Sequence, residues 1–208
     1  QDFKMINKIF SEAYENVPNG SYVCPKCGWT MTFYGAQAQC CNKSCLKNIP
    51  KKDDLKPLRF QDGNWRLRHG VMRYMCLPGQ LELKIQKNAE KYGCRAELWP
   101  DRDKYDVKIT LPDGQVWAID AKTHRNPYML KKSIENDYVF THTKAQKVFY
   151  VVPDDCLTDY PDYCKICNDA LASSFPDSIA KCVSLRIFSK ELKGEVEDVK
   201  LRNYQKKS

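Results

Sequence analysis

The feature that constrains the fold most is a pair of strands that ends on charge. Asp106–Leu111 alternates apolar and polar residues, Pro112-Asp113-Gly114 supplies a turn, and Val116–Ala121 returns as a second strand. With Asp113-Gly114 at the turn, the pairing sets Asp106 opposite Ala121, within reach of Asp120 and Lys122. Those last two stand two residues apart on a strand and so face one side. An Asp-x-Lys on an ordinary surface hairpin is a salt bridge of little energetic consequence. Here Val116-Trp117-Ala118-Ile119 reads as a buried strand, which runs from a core into Asp120-Ala121-Lys122 at its rim. Two carboxylates and an ammonium meeting there suit Mg²⁺ or Mn²⁺, a hard cation that takes carboxylate and water oxygens. Such a site polarises a phosphate and lowers the pKa of an attacking water, and Lys122 can orient that water or balance developing charge.

The surrounding pattern favours a mixed sheet flanked by helices. Phe3, Ile6, Ile9, Phe10 and Ala13 recur at helical spacing within residues 2–16, and Val17-Pro18-Asn19-Gly20 stops that helix. Trp29, Met31 and Phe33 alternate as in a small strand. Leu67, Val71, Tyr74 and Leu77 lie among arginines. Pro78-Gly79 opens a helix that carries Leu81, Ile85 and Ala89 on one stripe and closes at Gly93. Residues 127–146 read as mostly helical, Val148–Val152 as a strand buried on both faces, and 161–174 as a helix. Val183–Phe188 reads as a final strand before a charged tail. The fold class is therefore α/β or α+β. The expected organisation is an N-terminal helix at 1–20, a zinc-binding ribbon at 21–50, a basic linker or hairpin at 51–75, a main domain at 76–195 and a basic tail at 196–208.

Charge and apolar content narrow the function. No apolar run approaches the roughly 20 residues of a membrane-spanning helix, and no secretory signal stands at the start. The first residue, Gln1, fits a processed chain or a piece of a longer one. The net charge of +8 is uneven. Residues 46–75 hold eight Lys or Arg against three Asp, residues 199–208 hold four against none, and the remainder is near neutral. Two basic patches on a neutral body point to a polyanion, nucleic acid before membrane. Arg59, Arg66, Arg68, Arg73 and Arg125 are the candidate phosphate contacts, with His124 beside the last. Solvated side chains are the plainer reading.

The eleven cysteines are odd in number and unevenly spaced, which argues against a disulfide framework and for a reducing, cytoplasmic setting. Five fall in residues 24–45. Cys24-Pro25-Lys26-Cys27-Gly28 is a knuckle in which both thiolates reach one ion and the glycine permits the turn. Cys45 with Cys40 or Cys41 completes a four-thiolate zinc site, and Cys40 is preferred. Four protein ligands leave no open position, so this zinc is structural. Cys164 and Cys167, with Cys156 and Cys182 available, allow either a second metal site or core packing.

Asp106 followed by Asp120-Ala121-Lys122 after a hairpin resembles the PD-(D/E)XK phosphodiesterase superfamily, the fold of many restriction endonucleases. The resemblance implies a restriction-endonuclease-like sheet and a further acid on the preceding helix, which is Glu82, with Glu90 the alternative. Leu77-Pro78-Gly79-Gln80-Leu81-Glu82, Glu97-Leu98-Trp99-Pro100, Tyr105-Asp106 and Trp117–Lys122 are similar to the restriction-endonuclease-like proteins encoded beside prokaryotic Piwi-like proteins. That narrower likeness spans residues 65–155. It implies an antiviral or restriction-type defence setting, with a Piwi-like protein and a helicase as partners. The Pro-Asp of the superfamily's name is Tyr105-Asp106 here, and the literal Pro100-Asp101 reads as a loop. Gln146-x-x-x-Tyr150 resembles a motif that in related nucleases lies on a helix. The expected activity is metal-dependent DNA endonuclease, with DNA or RNA and one strand or both left open. A single-site enzyme cutting both strands acts as a homodimer or in two encounters. The rival expectation is a non-catalytic nucleic-acid-binding or adaptor protein that keeps the fold.

Overall fold

In the computed structural model the described residues are 2–42, 45, 51–55, 57, 64–100 and 104–205. Arg59, Asp62-Gly63, Asp101 and the last three residues of the basic tail lie outside them. The chain divides into two compact units, Gln1–Leu77 and Pro78–Ser208.

In the first unit the opening helix spans Asp2–Ala13, shorter than the spacing predicts. Tyr14–Asn16 (β1) leaves it as a strand paired antiparallel with Trp65–Leu67 (β5). The Ala13 carbonyl accepts the Arg68 N–H rather than a further helical donor, which ends the helix. Phe3, Ile6 and Ile9 remain exposed on it. Three short antiparallel strands follow: Tyr22–Val23 (β2), Thr30–Tyr34 (β3) and Gln37–Cys40 (β4). Their small core consists of Tyr22, Met31 and the thiols of Cys24, Cys40 and Cys45, with Phe33 packed edge-on against Tyr22. Residues 65–76, which fall almost wholly within the expected basic linker or hairpin, hold β5, a helical turn at His69–Val71 and a π-helical turn at Met72–Cys76.

The second unit is a five-stranded mixed sheet with helices on both faces. Its strands are Arg95–Leu98 (β6), Val107–Thr110 (β7), Val116–Ala121 (β8), Lys147–Val152 (β9) and Ala180–Ser184 (β10), ordered β10-β9-β8-β7-β6. β6, β7 and β8 run antiparallel; β8, β9 and β10 run parallel. One face is covered by the helices Leu77–Lys91 and Leu185–Gln205 through Leu81, Ile85, Ala89, Phe188, Leu192, Val196 and Val199. The other is covered by Pro127–Ile134 and Tyr163–Ser174, which contribute Leu130, Ile134, Tyr163, Cys167 and Leu171. β8 and β9 are buried on both faces from their second residue onward, as the unbroken apolar run of β9 predicts.

Three expectations for this unit are corrected. The strand at 183–188 is shorter and earlier, and Leu185–Gln205 is a helix, so residues 196–205 are not a tail. Ser184 Oγ accepts the Ile187 N–H as a helix cap, and Leu185, Phe188, Leu192, Val196 and Val199 form one helical stripe. Residues 127–146 hold only Pro127–Ile134 and the turn Tyr138–Thr141. Asp137 separates them, its Oδ1 accepting the Phe140 N–H. The β7–β8 hairpin is also shifted by one residue. Val107 faces Ile119 and Thr110 faces Val116, which brings Asp106 opposite Asp120 and not Ala121. Pro112 fixes the turn one residue earlier, with Gly114 at φ 88° and its N–H on the Leu111 carbonyl. This is a three-residue loop closed by a left-handed glycine, not a two-residue turn.

Candidate active site and zinc site

One edge of the sheet collects the charged residues that the sequence singles out. β6 arrives there, β7 departs from it, and β8 and β9 arrive side by side. Leu98 opposite Val107 puts Trp99 opposite Asp106, joined by the Trp99 N–H to the Asp106 carbonyl at 2.9 Å. Asp106 lies in line with Asp120, and Asp120 pairs with Tyr150.

Asp106 Oδ2 accepts the Ala121 backbone N–H at 2.6 Å, so its carboxylate is held across the end of β8. Asp120 is buried, and its Oδ2 lies 2.7 Å from Lys122 Nζ. Burial is the largest influence on Asp120 and raises its pKa. The Asp106 carboxyl hydrogen-bonded to it raises it further, Lys122 lowers it, and the outcome is about 7. For Lys122 burial disfavours the charge, but Asp120, Asp106 and Asp137 together outweigh it and hold the ammonium above its ordinary value. Asp137 is a residue that sequence reasoning missed. It accepts the Tyr150 hydroxyl at 2.9 Å from the loop between Pro127–Ile134 and Tyr138–Thr141. Its one sequence signal is the helix-capping position before Tyr138.

Glu82 is buried on the helix Leu77–Lys91, where Oε2 accepts the indole N–H of Trp99 at 2.8 Å. Leu81 and Ile85 of that helix pack on one face of the sheet, whereas Ala118 and Tyr150, in line with Asp120, pack on the other. Glu82 is thus linked to the carboxylate pair through Trp99. Gln146 and Tyr150 do not act as a pair. Gln146 Oε1 accepts the Val116 N–H at the far end of β8, while Tyr150 belongs to the carboxylate end.

Arg125 is held by Asp155 and Asp159, each at 2.9 Å, and anchors a loop. The His124 carbonyl accepts the Tyr163 hydroxyl at 2.6 Å; burial first, then Lys122, lowers the imidazole pKa. In the first unit Arg66 binds Glu15 at 2.6 Å and Thr30 at 2.9 Å and lies over the Trp29 ring. Arg68 bonds the Ser11 carbonyl, and Arg73 is exposed beside Tyr74. Of these, Arg66 is engaged as a structural clamp.

The thiols of Cys24, Cys27, Cys40 and Cys45 all lie within 4.8 Å of one another and form the metal-capable group among the described residues. Cys41 is apart from it, directed at the His69 carbonyl. Cys27 Sγ and Cys40 Sγ are 3.6 Å apart, close to the ~3.8 Å that a tetrahedral zinc with Zn–S bonds of about 2.3 Å requires. The Gly28 N–H bonds the Cys24 carbonyl at 2.9 Å, with Gly28 at φ 72°, a knuckle only glycine adopts without strain. Burial, then neighbouring Cys27, pushes the Cys45 thiol up to about 12 and raises Cys40 as well. Burial also raises Cys24, but the Cys27 and Lys26 N–H groups outweigh it and lower that thiol. Four soft donors crowded without a counter-charge fit a zinc ion. The second Cys-x-x-Cys does not form such a group: Cys167 and Cys182 are packed in the core, with Cys167 Sγ on the Pro127 carbonyl.

Among the described residues no helix is long and apolar enough to cross a membrane. No curated protein and no solved structure matches the chain. A family model described as "REase associating with pPIWI_RE" matches residues 79–198, more than half of the chain and nearly all of the five-stranded unit with its carboxylate edge. The chain belongs to that family of REases associating with pPIWI_RE.

Proposed function

We propose that the chain is a metal-dependent DNA endonuclease of a prokaryotic defence system, working with a Piwi-like protein and a helicase. The observation that carries this reading is the convergence of Asp106, Asp120 and Lys122 at one strand end. Asp106 and Asp120 would hold Mg²⁺ or Mn²⁺, with Glu82 as a further acid reached through Trp99. The donor set fits: the buried Asp120 carboxylate in contact with that of the half-buried Asp106, with a single ammonium at 2.7 Å, leaves a deficit of positive charge that a hard divalent cation relieves. When bound, such a cation polarises a scissile phosphate and acidifies a water. Lys122, held by Asp120 at the rim, is placed to orient the attacking water and to balance charge growing on the phosphate oxygens. The Ala121 N–H fixes Asp106, so neither carboxylate must reorganise as charge builds.

The thiol set of Cys24, Cys27, Cys40 and Cys45 would hold a structural zinc that orders a module whose apolar core is otherwise Tyr22 and Met31. Arg68 and Arg73 on that unit add sequence-independent phosphate contacts.

The test is supercoiled plasmid incubated with purified protein in Mg²⁺, Mn²⁺ or EDTA, beside Lys122→Ala. Nicking or linearisation that needs metal and is lost in the variant supports the assignment. Wild-type cleavage by Lys122→Ala would overturn it. Metal-independent DNA binding with no cleavage, by a protein purified with its partners, would favour the non-catalytic adaptor.

A further inference from the structure

Trp99 is held in a conformation that a merely structural tryptophan has no reason to adopt. Its φ is 50°, the one left-handed value at a non-glycine residue among the described positions. For an L-residue with a bulky side chain this costs about 1–2 kcal/mol. Pro100 follows it, which biases the preceding residue away from helical backbone and adds no compensation. Strain of this kind persists where the surrounding structure over-determines the geometry, here through the Glu82 and Asp106 hydrogen bonds, and it clusters at functional sites.

The left-handed turn has a definite consequence. An extended Trp99, directly opposite Asp106, would project with Asp106 and Asp120 toward the same face. Instead the indole reaches Glu82, on the helix that covers the opposite face, while the backbone N–H stays on the Asp106 carbonyl. Trp99 therefore stands across the end of the sheet, its ring outside both apolar clusters of this unit and 56% exposed. The indole N–H is tied to Glu82, more than half of the residue stays exposed, and its backbone adjoins the strand end that carries Asp106. Burial does not explain the ring, since the other tryptophan of this unit, Trp117, is fully buried.

We infer that Trp99 is a stacking platform for an unpaired nucleobase next to the scissile phosphate. The inference rests on the nuclease reading and deepens it: the substrate presents at least one unstacked base at the cutting site, as a single strand or a locally opened duplex does and an intact duplex does not. A base has a π-face whatever its sequence, so the platform selects strandedness and not sequence. Stacking is a property of the aromatic face and not of the indole nitrogen, whose hydrogen bond to Glu82 is a separate contact.

The experiment measures equilibrium binding to a labelled single strand, a duplex with a central unpaired stretch, and a fully paired duplex, with Ca²⁺ replacing Mg²⁺. A 2-aminopurine in the unpaired stretch reports stacking by quenching. Wild-type protein is expected to bind the unpaired probes about 10-fold or more tightly than the paired duplex and to quench the probe. Trp99→Leu removes both effects, and Trp99→Phe, which keeps a ring but not the N–H, retains both. Circular dichroism confirms that each variant folds. Equal affinity of Trp99→Leu and wild type for the unpaired probes overturns stacking, while metal-dependent plasmid cleavage leaves the nuclease reading intact. Equal damage in Trp99→Phe and Trp99→Leu also overturns it and assigns Trp99 to holding Glu82. A wild-type protein that binds none of the probes and cuts no plasmid removes the nuclease reading and stacking together.

Discussion

Replacing Asp120 by Asn should flatten the dependence of stability on pH in metal-free buffer. In the folded chain the Asp120 carboxyl, raised first by burial and then by its hydrogen bond to Asp106, titrates at about 7; its ordinary value is 3.8. Between those limits the native state keeps a proton that the unfolded chain has released. Stability conferred by this group is complete below about pH 4 and falls as pH rises, and it is gone once pH passes about 7. Each pH unit of that window removes about 1.4 kcal/mol, so the full loss is on the order of 4 kcal/mol. His124 acts oppositely, since burial lowers its pKa and favours the folded state as pH rises through that value. The difference between wild type and Asp120→Asn isolates the carboxylate. The assay is urea unfolding in EDTA at half-unit steps from pH 4.5 to 8.5. Wild type should lose several kcal/mol over that range and Asp120→Asn should not, with Mg²⁺ restoring wild-type stability at pH 8 by mass action. An identical slope in both proteins, or a wild-type stability that rises with pH, would refute the reasoning.

Lys122→Ala should lower plasmid cleavage at least ~100-fold while leaving the far-ultraviolet dichroism unchanged, because the ammonium stabilises charge and not the sheet. Cys45→Ser should reduce bound zinc, measured by mass spectrometry, from about one per chain toward none. In the same variant, amide exchange at Met31 and Cys40 should accelerate strongly, since the thiols make up most of that small core. Val196→Asp should cost about 3 kcal/mol or more in urea unfolding, because Val196 lies on the core-facing stripe of the terminal helix and is buried there. A disordered tail would tolerate the change without loss.

What could be read from the sequence follows from the kind of signal each element carries. β8 and β9 are apolar on both faces and bounded by turns, so tertiary context only reinforced their pattern. The thiol cluster was legible because Cys-x-x-Cys-Gly encodes two of its thiols and the backbone turn within five residues. The one-residue register of the hairpin was not, because Pro112-Asp113-Gly114 supports two loop lengths and only packing selects between them. Leu185–Gln205 was hidden by β-branched and charged residues, although Ser184 and the stripe from Leu185 to Val199 carry the helical signal. Asp137 carries only the signal of a helix-capping position, which says nothing of a place at the site. It meets Tyr150 across thirteen residues of chain, and nothing local announces that contact. The arginines show the reverse failure. Composition marks Arg66 and Arg125 as free cations, but their partners Glu15, Asp155 and Asp159 lie far away in sequence.

The charge balance at the carboxylate edge differs from that of an ordinary ion pair, which is what the proposed cation site rests on. A structural Asp–Lys bridge is neutral as a unit and needs nothing more. Here Asp106 is in contact with Asp120, and Asp137 acts on the same ammonium, so three carboxylates surround Lys122. Tyr150 and the Ala121 N–H donate to two of these groups, but a neutral donor spreads charge without cancelling it. The antiparallel turns of β6, β7 and β8 and the parallel entry of β9 bring these acids to one end of the sheet. Strands buried on both faces leave that end as the place where charge can reach water. The topology therefore concentrates negative charge at one end of the sheet, where the proposed cation and phosphate would approach together. A fold held only for stability would instead disperse these acids, as it does along Lys147, Glu191, Glu195 and Lys181, where each carboxylate meets a basic partner.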